Sequence, residues 1–158
     1  MHATGNIGYL TDLDIRIYMR DNNPAANTLL DDFEYTPEEL RTAMTLTVDT
    51  WNDTPPFMQT YSYTMDTFPF RSALLKGTCA NLLFIAAMRF RRNSLQYNVP
   101  GGSVNDQEKY VQYDEAGQRL WTEYLQWIVH AKRALNMEQG FAIVDSMSLK
   151  PSVTTCCR

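Results

Sequence analysis

Histidine and cysteine are scarce in this 158-residue chain, which has two of the first and three of the second. Zinc centres, cysteine–histidine nucleophiles and disulfide frameworks draw on these residues at defined spacings, and none of those spacings occurs. His2 lies at the start of the chain, and His130 stands alone on a helical pattern. A lone imidazole without a positioned partner is expected to be a surface or satisfied core residue rather than a catalyst. Cys79 sits among apolar residues. Cys156 and Cys157 are adjacent, and neighbours in sequence do not easily bond each other. They are either an unconstrained tail or an intermolecular cross-link formed in an oxidising medium.

Other absences narrow the field further. There is no glycine-rich phosphate loop and no G-x-S-x-G nucleophile elbow. Fourteen Lys and Arg against eighteen Asp and Glu give a net charge of −4, so the basic surplus of a duplex-binding domain is missing. The start, MHATGNIGYLTDLD, has neither the basic region nor the apolar run of a signal peptide. The most apolar run, residues 80–88, is far short of the roughly 20 residues that span a bilayer. These features predict a soluble protein made in a reducing cytoplasm, with no membrane association.

What is present is a set of helical patterns rich in aromatic residues, which make up 12% of the chain and suit contact surfaces as well as cores. In LTDLDIRIYMRD, Leu13, Ile17 and Tyr18 share one helical face, while Ile15, Ile17 and Met19 also alternate as in a strand; the helix is preferred. DNNPAAN then breaks the pattern. Thr36, Pro37 and Glu39 form a strong helix start, with a cap, a first-turn proline and a reciprocal capping glutamate. Leu40, Ala43, Met44, Val48 and Trp51 follow on one apolar face, and Pro55-Pro56 forbids continuation. Residues 53–70 read as irregular or extended, with aromatic residues spread along them.

A second long helix is expected from Arg71 to about Tyr97, apolar around most of its circumference and therefore central to the fold. NVPGG ends it. The third begins near Asn105 or Asp106 and runs to about Met137, with Tyr110, Tyr113, Gly117, Leu120, Tyr124, Ile128, Ala131 and Leu135 on one stripe, bordered by Trp121 and Trp127. Gly140 marks a stop. The fold class is mainly α: a helical bundle over residues 1–137 with two long antiparallel helices, a capped shorter helix and an extended aromatic loop, followed by an extended C-terminal arm over 138–158.

Candidate chemistry is thin. Asp31, Asp32 and Glu34 form a carboxylate cluster that reads as a solvated turn, although with His130 it is the only start of a small enzyme or ligand site. Asp49 and Asp53 face solvent or bond neighbouring backbone. Arg89, Arg91 and Arg92 either complement the negative end of their helix or anchor carboxylates of a neighbouring chain. No catalytic residue, cofactor or metal site is expected.

The stretches LTDLDIRIYMRD, LLDDFEYTPEELRTAMTLTVDTWNDTPP and FPFRSALLKGTCANLLFIAAMRFRRNSLQYNVPGGSVNDQEKYVQYDEAGQRLWTEYLQWIVHAKRALN, spanning residues 10–136, carry a resemblance through their order and character. Together they resemble virion proteins from the structural gene block of tailed bacteriophages, and within that group head–tail connector adaptors. The resemblance implies a structural protein of the neck, made in the bacterial host and placed between head and tail. It implies a homo-oligomeric ring, usually of twelve copies, docked beneath the portal protein and against tail or neck proteins. DNA would pass through the channel without sequence-specific binding. A tail-completion or baseplate component is the alternative within the virion. Phe141, Ile143, Val144 and Leu149 match the portal-reaching arm of the family in place and character. Phe57, Tyr61 and Tyr63, thrown outward by the two prolines, are expected to meet a neighbour, as are Arg89, Arg91 and Arg92.

Overall fold

The structure, a computed structural model, describes residues 10–26, 32–56, 62–93, 96–99, 102–105 and 107–148. It is mainly helical. Helix α1 (Asp12–Met19) is followed by a single 3-10 turn at Pro24–Ala26, then α2 (Pro37–Asp53), α3 (Arg71–Arg92), a hairpin of β1 (Gln96–Val99) and β2 (Gly102–Asn105), and α4 (Gln107–Ser148).

Both short-helix starts are set by local chemistry. The Thr11 and Thr36 hydroxyls accept from the backbone N–H of Asp14 and Glu39, whose carboxylates accept in return from the threonine amides at 2.9 Å. These reciprocal bonds satisfy donors that the helix itself leaves orphaned. Leu40, Ala43, Met44, Val48 and Trp51 are all buried, as the spacing of α2 predicts. On α1 the outcome differs. Ile15 is the buried residue, while Leu13, Ile17 and Tyr18 face solvent.

Helix α3 is central, packing against α1, α2 and α4. It is long and apolar enough to cross a membrane by length and composition, yet half of its most apolar window is buried inside this bundle. Its antiparallel pairing with α4 is fixed at both ends by rings: Phe90 meets Tyr113 and Phe70 meets Trp127, each pair at 5.1 Å. Two glycines permit close approach. A Cβ on Gly77 would run into the Thr47 methyl, and one on Gly117 would stand 2.9 Å from the Phe84 ring. One polar knot joins α2, α3 and α4. Tyr124 donates to the Thr47 carbonyl at 2.8 Å, and Asn81 donates to the Thr47 hydroxyl at 3.0 Å.

Three boundaries depart from the sequence reading. Helix α3 stops at Arg92, and Gln96 and Tyr97 pair with Asn105 and Val104 across a hairpin. Asn98, Val99 and Gly102 of the NVPGG stretch are therefore strand residues, while Pro100 and Gly101 lie outside the described residues. Helix α4 does not stop near Met137 but runs to Ser148, through Gly140. Its 42 residues make it about 63 Å long, against about 33 Å for the 22 residues of α3. The arm expected to be extended from residue 138 is thus helical over its first eleven residues.

The aromatic loop also differs. Its described part does not leave the bundle: Phe68 is buried, and Tyr63, Phe68 and Phe70 stand within 6.4 Å of the Trp51 ring. The side chain of Asn52 holds Tyr63 in place by accepting from its amide and donating to its carbonyl. Folding inward covers an indole that α2 leaves at its end.

Candidate interaction surfaces

The C-terminal end of α3 is surrounded by a charged network that begins in α1. Arg16 donates to Asp21 and to the Tyr35 carbonyl, both at 2.8 Å, and its guanidinium lies 4.2 Å from the Phe33 ring. Asp21 accepts in turn from the amides of Glu34 and Tyr35. From the other side Arg89 donates to the Glu34 carbonyl at 2.9 Å and to the Glu39 carboxylate at 2.7 Å. The segment leading into α2 is thereby clamped between two arginines from different helices. Glu34 is half-buried: burial pushes its carboxyl up, opposed by the Arg89 guanidinium. Burial likewise raises the phenol of Tyr35, whose hydroxyl has no hydrogen-bond partner among the described residues.

Beside this network lies an open groove of about 650 Å³, lined by Glu39, Ile85, Met88, Arg89, Arg91, Arg92 and Asn93. Met88 is 62% exposed in it. Arg91 stands 5.7 Å over the Tyr110 ring. Arg92 is exposed and has no ionic partner among the described residues. A flexible thioether beside guanidinium groups suits an apolar anchor flanked by carboxylates, because methionine adapts its shape and arginine pairs carboxylates in a planar fork.

At the opposite end of α3 the chemistry is aromatic. Trp51 is ringed by Tyr63, Phe68, Phe70 and Trp127. Under it lies Lys132, only 1% exposed, with its ammonium 5.2 Å from the indole and donating to the Thr54 carbonyl. The lysine thus caps the C-terminus of α2, where a cation opposes the helix dipole. Burial lowers its pKa, with Asp53 pulling the other way. A second groove of about 430 Å³, lined by Leu10, Asp14, Ile17, Tyr18, Arg71, Ser72 and Leu75, opens between α1 and the start of α3. Asp14 there is held at about 2 by its bonds to Thr11 and by Arg71.

The structure sorts the sequence candidates. Arg89, expected to be available to a neighbour, is engaged by its own chain, and it lines the groove together with Arg91 and Arg92. Tyr63, expected at an interface, packs against its own Trp51 and Phe68. Phe141, Ile143 and Val144 lie on the helical continuation of α4. Phe57, Tyr61, Leu149, Cys156 and Cys157 lie outside the described residues, as does Asp31. Asp49 and Asp53 are solvent-exposed. Of the carboxylate–histidine combination, the described Glu34 and His130 are not brought together. Glu34 meets Tyr113, and His130 is exposed seventeen residues further along the same helix, a rise of about 25 Å. Among the described residues no group of three His, Cys, Asp or Glu is placed to hold a metal ion.

Two features escaped the sequence reading: the exposure of Met88 and the burial of Lys132. Met88 belongs to an apolar run, and it lies in the groove where α2 begins, beside Glu39 in the first turn of that helix. Lys132 borders the apolar stripe of α4 one residue after Ala131, which was a usable signal. Comparison with known protein families, with curated proteins and with solved structures returns no match.

Proposed function

We propose that this chain is a structural assembly subunit of a tailed-phage virion, acting in the neck as a head–tail adaptor beneath the portal. The reading rests on the order and character of the segments from LTDLDIRIYMRD to the long final helix. One structural observation carries it: the Met88–Arg91–Arg92 groove pairs an exposed apolar residue with guanidinium groups at the end of the central helix. Such a surface is suited to contact with another protein, since exposed apolar side chains with arginine anchors are the common material of interfaces.

The test uses portal-bearing, tail-less heads of the phage that encodes the chain. Purified protein incubated with those heads should co-sediment with them in a fixed ratio to portal and restore tail attachment. Protein that stays in the supernatant while binding to isolated tails would instead favour the tail-completion or baseplate alternative.

A further inference from the structure

We infer that the groove at the end of α3 receives the acidic outer face of α2 from a second copy of this chain, forming a head-to-tail contact. The contact gives the assembly reading its partner surface and rests on that reading. The observation behind it is a match between two surfaces of the same molecule. The solvent face of α2 carries Glu38, Thr42, Leu46, Asp49 and Asp53, which recur every three or four residues. Leu46 is 47% exposed at its centre, and Asp49 and Asp53 form no salt bridge among the described residues. Arg41, on the flank, is the one cation exposed on this helix.

The groove offers the complement. Met88 is its exposed apolar residue, and Arg92 follows one helical turn later, with Arg91 beside it. On α2 the order is the same: Leu46, then Asp49 one turn later. Laying the two helices parallel therefore sets leucine against methionine and carboxylate against guanidinium simultaneously. Glu39 does not spoil the pairing, because its carboxylate is already taken by Arg89.

The two surfaces cannot meet within one molecule. Glu39, in the first turn of α2, lines the groove, whereas Asp53 ends that helix, about 21 Å away. The outer face of α2 also points away from α3, against which Ala43, Thr47 and Trp51 are buried. Joining one surface to a different surface of the next copy is a heterologous contact, which closes into a ring or propagates as a filament.

The experiment is a charge swap on the full chain, read by sedimentation velocity over a concentration series at low and high salt. Wild type should self-associate, more weakly as salt rises. Arg92→Glu and Asp49→Arg alter exposed positions, so both should stay folded, Arg92→Glu melting slightly lower because a carboxylate replaces a cation at the end of α3, while each alone associates about tenfold or more weakly. Mixing the two variants should restore association, because the groove of one then fits the α2 face of the other in both directions. The double variant should recover it too. Single variants that assemble like wild type, or a mixture that does not recover, would overturn the contact. A wild-type chain that stays monomeric yet co-sediments with portal-bearing heads would also overturn it, while leaving the assembly reading standing. Swap-sensitive self-association in a chain that ignores the heads would support the contact and remove the neck reading.

Discussion

The two ends of α3 are held by different physics. At its N-terminal end the rings of Trp51, Phe68, Phe70 and Trp127 pack on one another, with the ammonium of the buried Lys132 over the Trp51 indole. At its C-terminal end Arg16 and Arg89 clamp the entry to α2 through Asp21, Glu39 and backbone carbonyls. Ring packing carries no net charge and hardly responds to salt or pH. A charged network is directional, fixes one approach of the chain, and weakens when a partner is neutralised. The aromatic end therefore supplies stability, and the ionic end supplies orientation for the groove beside it.

Substitutions should separate these roles. The largest loss is expected for Trp51→Ala, about 3–5 kcal/mol by urea unfolding, because it empties a site bordered by four other rings. A loss below about 1 kcal/mol would mean that the cluster collapses around the gap and does not hold the end of the helix. Asp21→Ala comes next, at about 2–4 kcal/mol, since it leaves Arg16 without its carboxylate and two amides without an acceptor. Amide exchange at Glu34 and Tyr35 should rise with it, while the aromatic end stays protected. Thr36→Ala should cost about 1 kcal/mol, read as a small shift of the urea midpoint.

The smallest effect at neutral pH is expected for Lys132→Met, within about 1 kcal/mol, because relief from burying a charge offsets the lost cap on Thr54. Its signature is pH-dependent. Burial holds the folded Lys132 pKa below its ordinary 10.5, so between those values the unfolded chain binds more protons. Wild type should therefore gain on Lys132→Met as the pH climbs towards 10.5. Comparing the two proteins cancels the opposing trend of Cys79, whose thiol burial pushes up to about 12 and which costs stability above pH 9 in both. A flat difference across that range would mean that water reaches the ammonium.

How much of this was legible in the sequence follows from how local each signal is. The start of α2 was readable because Thr36, Pro37 and Glu39 act within one turn, and both capping bonds form as expected. Its apolar face was readable for the same reason. The end of α3 was not, because the hairpin depends on Gln96 meeting Asn105 across the chain rather than on any stop residue. Gly140 misled in the other direction: one glycine costs a helix only about 1 kcal/mol, which neighbouring turns absorb. Arg89 looked available because its partner Glu39 lies fifty residues away, beyond the reach of any spacing rule. On α1 the pattern named a helix correctly but chose the wrong face, since eight residues contain too few turns to decide which side the bundle takes.

We propose that this chain works as an assembled subunit of the virion neck, and an image of the intact particle at side-chain resolution would reveal it there. Several copies are expected around the channel between portal and tail, with Met88 and Arg92 of each covered by protein. Particles in which the chain is absent from the neck, or present there with that groove open to solvent, would contradict it.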